Sequence, residues 1–175
     1  MKERKPDIRG IKTVMSIVRT GDVLNRYLEI KLAKHGSSPI RFGVMNALFV
    51  HGGTMTPTAI SKWTFRAKHT ISVMLHVLGA IGFIRREPNV NNSRSVNIVI
   101  TEKGWDATEK MIPISEEINH KVLSCFDDNQ IETLMSLLRQ LRKHLFKQIH
   151  DSQINNSTAP PRAVHHKRPR RSQKS

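Results

Sequence analysis

At 175 residues the chain has the length of one ordinary domain, and 38% apolar with 25% charged residues is a soluble globular balance. No apolar run reaches the ~18 residues of a membrane-spanning helix. The charged segment 1–9 lacks the apolar stretch of a secretory signal, and the single Cys125 excludes an internal disulfide, so the expected location is a reducing cytoplasm.

Charge points further. Lys and Arg number 29 against 14 Asp and Glu, a net +15. That excess is the electrostatic footprint of a nucleic-acid binder. By itself it leaves an anionic membrane or a merely cationic surface open.

Taken in chain order, Ile11, Val14, Met15, Val18, Leu24, Leu28 and Leu32 recur at helical spacing, with a break expected near Gly21. Gly36 supplies a stop. Ser38-Pro39 restarts a helix, Ser as cap and Pro in the first turn, which runs through Val44, Leu48 and Phe49 to Gly52-Gly53. Thr56-Pro57 repeats the signal for a short helix to about Trp63. The next helix starts around Lys68-His69-Thr70 and puts Ile71, Met74, Leu75 and Leu78 on one face until Gly82.

The period then changes to two. Phe83 to Arg86 and Ser95 to Ile100 read as strands, with turn residues Pro88 to Asn92 between them. Thr101-Glu102-Lys103-Gly104 opens a helix to about Phe126, with Pro113 marking a kink or break inside it. Asp127 or Asp128 starts the last helix, whose stripe is Ile131, Leu134, Met135, Leu138, Leu141 and Leu145.

The fold class this predicts is mainly α with a small β-hairpin wing: a winged helix-turn-helix flanked by long helices. The expected divisions are 1–37 for an N-terminal helix, 38–100 for the winged helix-turn-helix, 101–150 for the C-terminal helices and 151–175 for a disordered basic tail. The tail holds six Lys/Arg, one acid and only Ile154 and Val164 as large apolar residues. It has too little to bury to offset its ordering entropy. The outer helices carry apolar stripes that need a partner surface, and a second copy of the chain is the economical one. Leu134, Leu138, Leu141 and Leu145 are the expected dimerisation residues.

Several motifs come in an order and spacing similar to a known family. Leu78-Gly79-Ala80-Ile81-Gly82-Phe83-Ile84-Arg85-Arg86 resembles a recognition-helix exit. Ser93-Arg94 followed by Thr101-Glu102-Lys103-Gly104 resembles a wing and the start of the next helix, and Thr70-Ile71-Ser72 matches the recognition helix. The chain resembles, over about residues 10–148, the MarR (multiple antibiotic resistance regulator) family of winged-helix transcription factors. The resemblance implies a homodimer on a pseudo-palindromic double-stranded DNA operator, usually a repressor released by a small molecule. The chain departs from the family in the wing run Asn91-Asn92-Ser93-Arg94, which lacks an acid, and at Val73, His76 and Gly79 in the recognition helix.

The residues expected to meet DNA follow from these placements. Recognition helices read base edges with their N-terminal residues. Arg66, Lys68, His69, Thr70, Ser72 and Val73 lie there: the cations suit phosphate or guanine, the hydroxyls phosphate or base edges, and Val73 a thymine methyl. The bland alternative is a solvated helix start capped by Thr70 or Ser72. Arg94, oriented by Asn92, is the expected minor-groove side chain of the wing, with Arg86 at its base.

Nine histidines include no metal-binding pair at helical spacing, Cys125 reads as a packed inert thiol, and nucleotide-binding and hydrolase motifs are absent. No metal, no cofactor and no enzymatic activity are expected. Tyr27, Phe42, Met45, Trp63 and Phe65 are candidates to line an effector space. The expected function is therefore a cytoplasmic MarR-type regulator, with an architectural or RNA-binding winged-helix protein as the alternative.

Overall fold

The computed structural model describes residues 7–89 and 95–157. The chain forms two compact units, Met1–Val122 and Leu123–Ser175.

The first unit begins with α1, Ile8–Ala33. The Asp7 carboxylate caps it, accepting the Gly10 N–H at 3.0 Å. The expected break at Gly21 does not occur. A glycine in a helix costs only about 1 kcal/mol relative to alanine, and the rest of a long helix absorbs that. The turn after the helix closes at Gly36, which takes the left-handed conformation (φ +66°) while Ser37 N–H donates to the Leu32 carbonyl.

The next three helices are α2 (Pro39–Val50), α3 (Pro57–Thr64) and α4 (Lys68–Ala80). Ser38 Oγ accepts from Arg41 N–H, and Thr56 Oγ1 from Ala59 N–H, so both Ser/Thr-Pro pairs cap as expected. α4 buries Ile71, Leu75 and Leu78 against Val44, Leu48 and Ile60.

Strands β1 (Thr54–Met55), β2 (Ile84–Pro88) and β3 (Val96–Ile100) form an antiparallel sheet in the order β1-β3-β2. The hairpin matches expectation, but β1 is additional: two residues are too few to show a period. Pro88, expected in the turn, pairs with Val96 at the end of β2. An edge strand tolerates proline because one side of it has no ladder to satisfy.

Helix α5, Glu102–Leu123, runs continuously through Pro113. Its opening motif fastens it to the end of α4. Thr101 Oγ1 accepts the Gly104 N–H at 3.1 Å and donates to the Gly82 carbonyl at 2.6 Å. Lys103 Nζ donates to the Ile81 carbonyl at 2.8 Å, a cation on a helix C-terminus.

In the second unit, α6 spans Asp128–Ser157. Asp127 and Gln130 exchange backbone-to-side-chain bonds at 3.0 and 2.8 Å, a reciprocal cap. The helix continues seven residues beyond position 150, into the segment expected to be a tail; residues 158–175 of that segment lie outside the described residues. Cys125 is exposed rather than packed, because α5 stops at Leu123 and leaves it on the turn. Among the described residues, no helix is long and apolar enough to cross a membrane.

Candidate nucleic-acid interface

Two helices at a tight turn present the candidate surface. α3 ends at Phe65, whose backbone is left-handed (φ 53°, ψ 33°). The turn is closed from both sides: Arg66 N–H donates to the Ser61 carbonyl at 3.2 Å, and Ser61 Oγ donates to the Arg66 carbonyl at 2.7 Å. Helix α4 then starts at Lys68, with Ala67 in the cap position, no side chain capping it and no acid in its first turn. The capping role open to Thr70 or Ser72 is therefore not taken. The first-turn N–H groups of α4 thus lack a side-chain cap, and they carry the positive end of the helix dipole, a setting that favours phosphate.

The buried stripe Ile71, Leu75 and Leu78 turns the opposite side of α4 to solvent. Lys68, His69, Ser72, Val73 and His76 are exposed there, and Val73 keeps 64% of its surface. Thr70 is half-buried, its Oγ1 3.2 Å from His69 Nε2. Arg66 is exposed in the turn. Six of the expected DNA-facing residues thus lie on one short stretch. Electrostatics reinforce this: from Ile30 through Arg86 the chain contains no Asp or Glu, while Lys62, Arg66, Lys68, Arg85 and Arg86 are cationic.

On the wing, Arg86 is exposed on β2 opposite Ile98. Its neighbour Arg85 is engaged: its Nε lies 2.6 Å from Glu87 Oε1, an i, i+2 pair on one strand face. The ion pair leaves Arg86 as the stronger phosphate candidate of the two. Asn92 and Arg94 lie outside the described residues.

No protein-family model matches the chain. The chain is 25% identical over 141 residues to the HTH-type transcriptional regulator PecS of Dickeya dadantii, covering 79% of this chain and 85% of PecS. Its structure is similar to that of a mutant MarR from E. coli complexed with operator DNA, with a TM-score of 0.68 and 19% identity over 78% of this chain and 99% of MarR. The chain has the winged-helix fold of the MarR family. A second member of that fold group, the organohalide-sensing regulator RdhR in its 2,4-dichlorophenol-bound form, matches with a TM-score of 0.68 and 18% identity over 82% of this chain and 88% of RdhR.

Within this MarR-type fold a cavity of about 330 Å³ opens between the end of α1, α2 and α5. Phe42, Met45, Phe83, Met111 and Ile114 line it with apolar surface, and His35, Arg41 and Lys110 are also among its lining, with Arg41 Nη1 donating to the Gly36 carbonyl at 2.6 Å. Of the five residues suggested for an effector space, only Phe42 and Met45 are among its lining. Trp63 instead packs edge-on against His51, with ring centroids 6.0 Å apart. Lys31 Nζ sits 5.3 Å from the Tyr27 ring centroid. Phe65 is 58% exposed. Sequence reasoning grouped aromatic residues by type, but which of them face a common space depends on helix packing. Among the described residues there is no group of three metal-ligating side chains.

Proposed function

We propose that this MarR-type protein is a transcriptional regulator that binds a pseudo-palindromic duplex operator as a homodimer, acts as a repressor and is released by a small molecule. The observation that carries the DNA reading is the acid-free, cation-flanked outer face of α4 with its uncapped N-terminus. Phosphates dock on Arg66, Lys68 and the first-turn N–H groups, which sets register. Thr70, Ser72 and Val73 then face base edges, and Asn92 and Arg94 extend the contact from the wing.

Unpartnered apolar surface supports the homodimer. On α1, Ile8, Ile11, Val14, Met15 and Val18 are exposed; on α6, Leu138 and Leu145 are exposed, with Leu134 and Leu141 half-buried. The α6 residues recur at three- and four-residue steps, the spacing of a helix-on-helix seam. The cavity, mostly apolar in its lining with Arg41 and Lys110 among its residues, suits a small apolar molecule bearing a negative charge.

The test is protection of intergenic DNA by the purified protein, with and without small aromatic acids. A defined footprint of two half-sites, outcompeting bulk DNA by ~10³ or more, is the expected result. Binding that bulk DNA abolishes at equal mass overturns it.

A further inference from the structure

We infer that α6 carries a second, sequence-independent site for duplex DNA, in which Arg139, Lys143 and Lys147 hold the phosphate backbone. The inference goes beyond the operator reading, which places DNA on α4 and the wing and uses no residue of α6 for it.

The charge pattern of the helix is the first reason. From Thr133 to His150 α6 contains no Asp or Glu, while it carries Arg139, Arg142, Lys143 and Lys147. Helix α5 differs: it intersperses Glu102, Asp106, Glu109, Glu116 and Glu117 among three lysines, and Glu117 pairs with Lys121. Mixed signs are what a merely solvated helix face shows, because opposite charges four residues apart support the helix and like charges oppose it. Arg139, Lys143 and Lys147 stand four residues apart and exposed, and none has a carboxylate partner among the described residues. A polyanion relieves the repulsion between them.

Geometry is the second. Residues four apart lie one above another on a helix, each step rising about 6 Å, so the row is about 12 Å long. It matches three or four phosphates of one strand, at ~3.4 Å per phosphate along a duplex axis. The row flanks the apolar stripe of Ile131, Leu138 and Leu145 rather than interrupting it, so a second copy packed on that stripe leaves the cations to solvent. A lipid surface would need apolar side chains free to insert beside the cations, and those belong to the stripe. Phosphate contacts carry no sequence information, so the site accepts any duplex. Residues 158–175, next in the chain, add six Lys/Arg and no acid. Such a site keeps the protein on DNA while α4 searches for its operator.

The test uses the full-length protein. Wild type first enriches 30-base-pair duplexes from a random pool, and the enriched and random duplexes serve as probes. Combining Arg139→Gln, Lys143→Gln and Lys147→Gln removes three charges but keeps helix-forming side chains, so melting temperature and sedimentation should match wild type. This variant should bind random duplex about tenfold more weakly. Its slope of log affinity against log salt should flatten by roughly two to three units, about 0.9 for each cation. Affinity for the enriched duplex should change by less than about twofold, so sequence preference rises. Lys143→Gln alone should flatten the slope by about 0.9, which keeps the test alive if the triple variant fails to fold. Combining Lys12→Gln, Arg19→Gln and Arg26→Gln removes the same charge from α1 and should leave random-duplex binding near wild type.

Unchanged random-duplex binding in the α6 variants overturns the inference. So does an equal loss in the α1 variant, which makes the effect one of net charge. An equal loss on random and enriched duplexes overturns a separate site. Loss of binding to phosphatidylserine vesicles, with random-duplex binding intact, assigns the row to a membrane and overturns the DNA contact. Wild type that enriches no duplex overturns the operator reading alone, and the α6 site is then decided by the random duplex.

Discussion

Gly104→Ala probes the joint that holds the wing to α5. An added Cβ would lie 2.1 Å from the Phe83 carbonyl oxygen and 2.8 Å from Ile100 Cγ1. Carbon and oxygen approach no closer than roughly 3.3 Å without repulsion, so α5 must retreat by about 1 Å. That retreat stretches the Thr101 N–H bond to Phe83 (3.0 Å), the Thr101 Oγ1 bond to Gly82 (2.6 Å) and the Lys103 bond to Ile81 (2.8 Å). Overpacking costs about 1–3 kcal/mol, and weakening these bonds adds about 1 kcal/mol. Alanine regains about 1 kcal/mol of helix propensity. The net loss is about 2 kcal/mol, or a melting temperature lower by roughly 4–8 °C for a chain of this size. Gly79→Ala is the matched control: its Cβ meets nothing within 4 Å, so propensity alone acts and stability rises by up to about 1 kcal/mol. Urea unfolding of both variants at one protein concentration measures the difference. Gly104→Ala as stable as wild type, or both substitutions shifting stability in the same direction, would refute the close-approach argument.

Other outcomes follow from the same structure. Ser72→Ala should relax sequence preference on enriched duplexes with stability within about 0.5 kcal/mol of wild type, because its exposed hydroxyl packs against nothing essential. Leu138→Asp combined with Leu141→Asp should give a monomer or an unfolded chain by sedimentation and abolish operator binding; a native monomer that binds DNA at full affinity contradicts the homodimer. Removing residues 158–175, which hold six Lys/Arg and no acid, should flatten the slope of log affinity against log salt by roughly two to five units per dimer, and an unchanged slope makes the segment inert. The Lys121 ammonium, 2.5 Å from Glu117, holds that carboxyl below its usual range. The pair therefore contributes stability above the ordinary carboxylate range and loses it as pH falls through the lowered value, so Glu117→Gln should slightly flatten acid unfolding.

Local chemistry was legible along the chain. Ser38-Pro39 and Thr56-Pro57 are self-contained start signals, and Ile71, Leu75 and Leu78 define a buried face by spacing alone. The outer face of α4 followed from that stripe, because burying one side of a helix leaves the other to solvent. Thr101-Glu102-Lys103-Gly104 was recognisable as a motif, but its reason was not. Only the approach of α5 to the Phe83 carbonyl shows that position 104 has no room for a Cβ. The strand β1 was invisible because two residues carry no period and are ordered by pairing with β3, more than forty positions away. The cavity residues escaped for a similar reason: His35, Phe42, Lys110 and Met111 are far apart in sequence and meet when α1, α2 and α5 pack. The left-handed backbone of Phe65 was equally hidden, since nothing in a phenylalanine announces positive φ. Periodicity and capping act within a few residues and can be read from one segment. Close approach, strand pairing and shared cavities depend on distances between segments, which exist only once the chain has folded.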